Sequence, residues 1–87
     1  MIYVYVLRSR QNGKRYVGIT NNLERRVTEH RQGSTKGGQA LGAFDVVMTE
    51  VHQDYKAARV REVFLKSGQG RKWLDEVCRS TRPAKGG

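Results

Sequence analysis

Residues 2–20 read IYVYVLRSRQNGKRYVGIT, and this stretch decides the fold. Ile2 to Ser9 are mostly β-branched and aromatic, types that favour a pleated, extended backbone. Apolar side chains fall on both parities, so this strand is expected at the centre of a sheet, covered on both sides. Asn12-Gly13 is a strong hairpin signal, because a two-residue type I′ turn needs positive φ at both central positions. A second strand is expected from about Lys14 to Ile19. That turn sets Ser9 opposite Tyr16, Leu7 opposite Gly18 and Tyr5 opposite Thr20. Side chains alternate between faces, so Tyr5, Tyr16 and Gly18 share one face. The same pairing leaves the two tyrosines about 13 Å apart along the strands at ~3.4 Å per residue, a gap that a bulge or a longer loop would shorten.

Working outward, Asn21 is the expected N-cap of a helix, with Glu24 in the capping-box position and Leu23 and Val27 as its buried stripe. Arg26 and His30 stack on one face of that helix. The glycine-rich stretch from Ser34 to Gly42 reads as a mobile loop where Thr35 and Lys36 could touch phosphate. Phe44 to Thr49 reads as a third strand. Asp54 caps a helix over Tyr55 to Ser67, with Gly68 as its stop. Val60, Val63 and Phe64 form the expected stripe of that helix. Glu62 falls at the stripe's edge beside Ala58 and Leu65, and Arg61 must snorkel or pair. A last helix is expected to open at Gly70 and to carry Trp73, Leu74 and Val77. The reading is an α/β (α+β) fold: a small three-stranded antiparallel sheet flanked by about three helices, in β-β-α-β-α-α order.

The chain has 87 residues, which makes one domain, read as 1–79 with a frayed basic tail over 80–87. Seventeen Lys and Arg against eight Asp and Glu give a net charge of +9, which points to a polyanionic partner, though solubility alone is the plainer use of such charge. Arginine dominates the cations, and guanidinium grips phosphate oxygens bidentately. No apolar run is long enough to span a bilayer and no signal-peptide layout opens the chain, so a cytoplasmic protein is expected. The single cysteine, Cys78, excludes an internal disulfide and a Cys-x-x-Cys metal site and reads as a packing residue.

Carboxylates are scattered, with no pair converging as a two-metal site requires. Glu62 alone sits mid-helix at a core edge, where it could hold one hydrated Mg²⁺ or simply pair with Arg59, Arg61 or Lys66. Tyr5 and Tyr16 could be core aromatics, Arg26 a solvated charge and His30 a helix-end histidine. Taken together they gather phenols, a guanidinium and an imidazole between one sheet face and one helix face.

In this order the residues resemble the GIY-YIG nuclease superfamily, in its small single-domain bacterial branch related to the nuclease domain of the DNA-repair excinuclease. Tyr3-Val4-Tyr5 matches the first signature triplet and Tyr16-Val17-Gly18 the second. The stretch from Thr20 to His30 is similar to the family's first helix, and the stretch from Arg61 to Leu74 to the branch's C-terminal hallmark. Tyr3 stands where the first triplet has glycine, and no asparagine follows Asn22. The resemblance implies a DNA endonuclease that uses one Mg²⁺ or Mn²⁺ ion on Glu62, with low sequence specificity and a role in repair or recombination. It implies Tyr5 or Tyr16 at the attacking water, Arg26 at the developing phosphate charge and His30 sharing the proton work. Gly18, Lys36, Arg71 and Lys72 are the expected nucleic-acid contacts, and a protein partner or a homodimer is the expected source of targeting. The alternatives are a module of the same fold that binds nucleic acid without cutting it, and an adaptor for an acidic protein.

Overall fold

Successive residues of a strand face opposite ways, and this alternation sorts the first strand into two cores. The computed structural model describes residues 1–33 and 35–81. Its elements run β1 (Ile2–Ser9), β2 (Arg15–Thr20), α1 (Leu23–Arg31), α2 (Lys36–Leu41), β3 (Phe44–His52), α3 (Tyr55–Lys66) and α4 (Gly68–Thr81). The three strands form one antiparallel sheet in the order β2-β1-β3. The expected α+β order holds, with one short helix, α2, added before β3. Residues 82–87 of the expected tail lie outside the described residues, as does the Cys78 side chain.

β1 is the central strand, as its two apolar faces require. Val4 and Val6 join Val17, Ala58, Leu65 and Leu74 in a core between the sheet and the pair α3 and α4. Tyr5 and Leu7 join Leu41 and Phe44 on the other face, under α1 and α2, with Tyr16, Leu23 and Val27 packed against them. β3 runs from Phe44 to His52, longer than expected, and a bulge between Val6 and Leu7 breaks its register with β1.

The hairpin differs from the expected two-residue turn. The observed register pairs Tyr5 with Gly18, Leu7 with Tyr16 and Arg8 with Arg15, two residues away from the expected one. A type I′ turn would need Asn12 at positive φ, and no non-glycine residue among those described adopts it; only Gly13, at φ 75°, does so in this loop. The Asn12 side chain instead accepts from the Lys14 N–H at 2.9 Å, and the buried Ser9 hydroxyl accepts from the N–H groups of Gln11 and Asn12. The loop therefore wraps around Ser9, which closes it by accepting from Gly13 N–H and donating to Lys14 O through its backbone. A shift of two residues preserves parity, so Tyr5 and Tyr16 stay on one face and come closer.

Four helix expectations are corrected. α1 is capped by Asn22, not Asn21, and Asn22 Oδ1 accepts from Arg25 N–H at 3.0 Å, leaving Glu24 outside a capping box. The stretch read as a loop contains α2, capped by Thr35, whose hydroxyl accepts from Gly38 N–H at 2.9 Å. On α3 the buried face is Ala58, Glu62 and Leu65, while Val60 and Val63 are exposed. The sheet takes the face that holds small Ala58 beside Leu65, and the outward valines have no layer to meet. Gly68 opens α4 rather than stopping α3. Ser67 serves both helices: its N–H donates to Phe64 O, and its Oγ accepts from Gly70 N–H at 3.1 Å. A side chain at Gly70 would collide with the Phe64 carbonyl, so glycine there permits the close turn between α3 and α4. Arg61 pairs as expected, bidentate on Glu50 at 3.0 Å with its guanidinium 4.5 Å from the Trp73 ring centroid, which ties α3 to β3 and α4.

Candidate active site

The register brings the two phenols together. A Cβ on residue 18 would stand 2.5 Å from the Tyr5 hydroxyl oxygen and 3.0 Å from Tyr16 Cε1, so Gly18 supplies the space in which both rings lie. Their centroids are 6.2 Å apart. α1 then sets His30 against them, its ring edge-on to Tyr16 at 4.9 Å. His30 Nε2 lies 3.0 Å from the Tyr5 hydroxyl, and Nδ1 lies 2.6 Å from Thr35 Oγ1. Both imidazole nitrogens are thus partnered, which lets a polar ring be buried without penalty. A side chain at Gly38 would collide with the His30 carbonyl, so glycine lets α2 seat against the end of α1.

Protonation follows from this burial. Burial pushes the Tyr5 hydroxyl up to about 12, against the opposing pull of Arg26. Burial first, and the Arg26 charge second, hold His30 below its usual range, with Glu29 opposing. At neutral pH both groups are uncharged. In one tautomer Tyr5 donates to Nε2 and Nδ1–H donates to Thr35; in the other both bonds reverse. Arg26, one turn before His30, donates to Glu29 Oε1 at 2.9 Å and also stabilises charge on the Tyr5 oxygen. Its side chain is about one-third exposed, so the guanidinium spans the buried phenol and the surface.

Glu62 lies in the other layer. It is buried on α3, with Oε2 held by Lys66 Nζ at 3.0 Å and Oε1 loosely met by Arg59 at 3.8 Å. Arg61, a third expected partner, is committed to Glu50. A cleft of about 600 Å³ runs along the outer edge of β2, and Tyr16 and Lys66 both line it. Tyr16 is packed against the α1-side core, and Lys66 belongs to α3; the cleft is where the two layers meet.

Among the described residues no three of His, Cys, Asp and Glu converge as a metal site. A single carboxylate with one weakly engaged oxygen fits a hydrated hard ion, which keeps most of its waters and takes one or two carboxylates. It does not fit an all-protein cage. The expected nucleic-acid contacts divide. Arg71 lines the cleft and Lys72 is exposed on α4; Lys36 is exposed at the start of α2, while Thr35 is turned inward to His30. His52 is the last residue of β3 and pairs with Glu50, apart from the phenol cluster. Sequence reasoning missed the cleft position of Lys14 and Lys66 and the cap role of Thr35. Lys66, four residues after Glu62, carries the ion-pair spacing that marks it.

Residues 1–73 match the GIY-YIG catalytic domain. The chain belongs to the GIY-YIG family. This GIY-YIG protein is 34% identical over 67 residues to the UPF0213 protein CPE1444 of Clostridium perfringens (strain 13 / Type A), a match that covers 76% of this chain and 71% of that one. It also resembles the solution NMR structure of the UPF0213 protein BH0048 from Bacillus halodurans. There the TM-score is 0.57 at 29% identity, over 95% of this chain and 89% of that one. The family is one of nucleases, and the phenol pair, Arg26 and Glu62 fall within its matched span. No helix among the described residues is long and apolar enough to cross a membrane.

Proposed function

We propose that this GIY-YIG protein is a metal-dependent DNA endonuclease of low sequence specificity, acting in DNA repair or recombination in the cytoplasm. The reading is carried by one observation: the cleft at the β2 edge is lined by both Tyr16, from the phenol cluster, and Lys66, whose ammonium holds Glu62. Glu62 would hold a single hydrated Mg²⁺ or Mn²⁺, which when bound polarises phosphate oxygens and acidifies water.

The protein's own groups then divide the work. Tyr16 is the phenol that orients the attacking water, a role supported by its opening onto the cleft, whereas Tyr5 is 1% exposed and held as a neutral phenol. Tyr5 and His30 act behind it, fixing the Tyr16 ring by contact and keeping the cluster free of charge. Arg26 stabilises the negative charge that builds on the phosphate. Its pair with Glu29 is about one-third exposed on both sides, and pairs open to solvent contribute little, so the guanidinium can exchange to a phosphate oxygen. Recognition rests on phosphate contacts and DNA shape, with a protein partner or a second copy supplying target choice.

The test is cleavage of supercoiled plasmid, single-stranded and branched DNA in Mg²⁺ or Mn²⁺, with and without chelator, by the natural protein and by Glu62→Gln. Metal-dependent nicking that disappears in the variant is the expected result. Salt-sensitive binding with no cutting of any substrate would replace this reading with a binding module of the same fold.

A further inference from the structure

The cleft beside β2 carries more than the chemistry assigned above. Its walls bear four cations: Lys14 and Arg15 from the hairpin, and Lys66 and Arg71 from the α3–α4 layer. Among the described residues no acidic side chain lines it. Two of the four are structurally committed. Arg15 is mostly covered, pairs with Asp75 at 2.6 Å and donates to the Arg71 carbonyl, which stitches the hairpin wall to the α4 wall. Lys66 is held by Glu62. Lys14 and Arg71 are exposed, and neither is in an ion pair among the described residues.

We propose that this cleft is the seat of a DNA strand's sugar–phosphate backbone, gripped by Lys14 on the hairpin wall and Arg71 on the α4 wall, and led between them past Lys66 to Tyr16. The inference rests on the nuclease reading for the identity of the polyanion, and it adds the path. Cations on facing walls, with no carboxylate in the lining itself, fit a chain of phosphates, because each phosphate brings its own charge and the spacing need not be tuned to a base sequence. Arg15 bridges the two walls through Asp75 and the Arg71 carbonyl, so both walls meet at one residue. Lys66 joins the track to the reacting centre, since the same ammonium lines the cleft and reaches Glu62. The path also discriminates among the chain's many cations: Lys36 lies on α2 and is absent from the cleft lining, and the outward cations of α3 face away from the sheet.

The experiment is binding of a short fluorescein-labelled DNA duplex by fluorescence anisotropy in chelator, across a salt series, so that no cutting intervenes. Lys14→Gln/Arg71→Gln is compared with a charge-matched control, Arg31→Gln/Lys56→Gln, outside the cleft. The cleft variant is expected to lower the magnitude of the log–log salt slope by about two, one for each lost phosphate contact, while the control keeps the natural slope. Lys14→Arg/Arg71→Lys should restore the slope, which separates lost charge from lost fold. Equal losses in the cleft variant and the control, or no loss in the cleft variant, would overturn the track. Either outcome leaves the nuclease reading intact, because that reading stands or falls on metal-dependent cutting lost in Glu62→Gln.

Discussion

Val4 and Tyr5 are neighbours on β1, yet they belong to different kinds of interior. Val4 enters a dry core of aliphatic side chains under α3 and α4. Tyr5 enters a layer where a buried phenol and a buried imidazole meet a half-buried threonine hydroxyl, and no buried side-chain polar atom among the described residues is left unpartnered. The first layer holds the sheet to its helices; the second orders groups with chemistry. The proposed site draws on both, because Glu62 stands at the margin of the dry layer and Tyr16 at the margin of the polar one.

The sharpest break of this comparison uses two residues on the buried face of α3. Glu62→Gln should abolish cutting while the melting temperature stays near its natural value. Leu65→Ala, less than one turn away, should cost about 2–5 kcal/mol through the cavity it leaves, which in so small a domain is a large share of the total stability. Activity and thermal melts measured on both variants check this; a Glu62→Gln protein that unfolds would make the carboxylate a structural member of the dry layer.

On the polar layer the largest effect should come from Arg26→Ala. If its guanidinium acts on the transition state, turnover falls by roughly two to four orders of magnitude with DNA affinity little changed. Single-turnover rates and binding constants measured together separate this from a plain phosphate anchor, which would lose both equally. Gly18→Ala comes next. The added Cβ would meet the Tyr5 ring in the middle of the cluster, an overpacking that should cost about 1–3 kcal/mol and disturb both phenols. Urea unfolding measures the first and the tyrosine ring signals in NMR spectra the second.

These residues also mark how far the sequence is legible. Parity alone places Tyr5, Tyr16 and Gly18 on one face, and helix spacing puts Arg26 and His30 together, since both periods survive small errors of register. The register itself is not legible, because Asn12-Gly13 advertises a tight turn while Ser9, a few residues earlier, offers a hydroxyl that organises a longer loop. On α3 the helical wheel favours the valines, since a count of apolar residues does not tell which face the sheet will take. The α2 helix is hidden by its glycines, one of which is required for the close approach to His30 rather than for flexibility. Lys66 reads in sequence only as a partner for Glu62, for its place in the cleft depends on how α3 lies against β2.

The finest test of the polar layer is its pH response. His30 has a depressed pKa in the folded protein, so the unfolded chain binds a proton more readily. The sign follows from that linkage: the contribution is complete above the unfolded value of about 6.5 and is lost as pH falls from there toward the folded value. Unfolding free energy should therefore decline as pH falls through the unfolded value of about 6.5, and His30→Gln should flatten that decline. Thr35→Val removes the oxygen that meets Nδ1 and accepts from Gly38 N–H, whereas Thr35→Ser keeps it. The valine variant should lose about 1 kcal/mol as a helix cap and leave an unpaired ring nitrogen, which will move the imidazole titration seen by NMR. The serine variant should hold the natural titration. A Thr35→Val protein with an unmoved His30 titration would detach α2 from the cluster and leave Thr35 as a cap alone, with Tyr5 as the only hydrogen-bonding partner that matters to the ring.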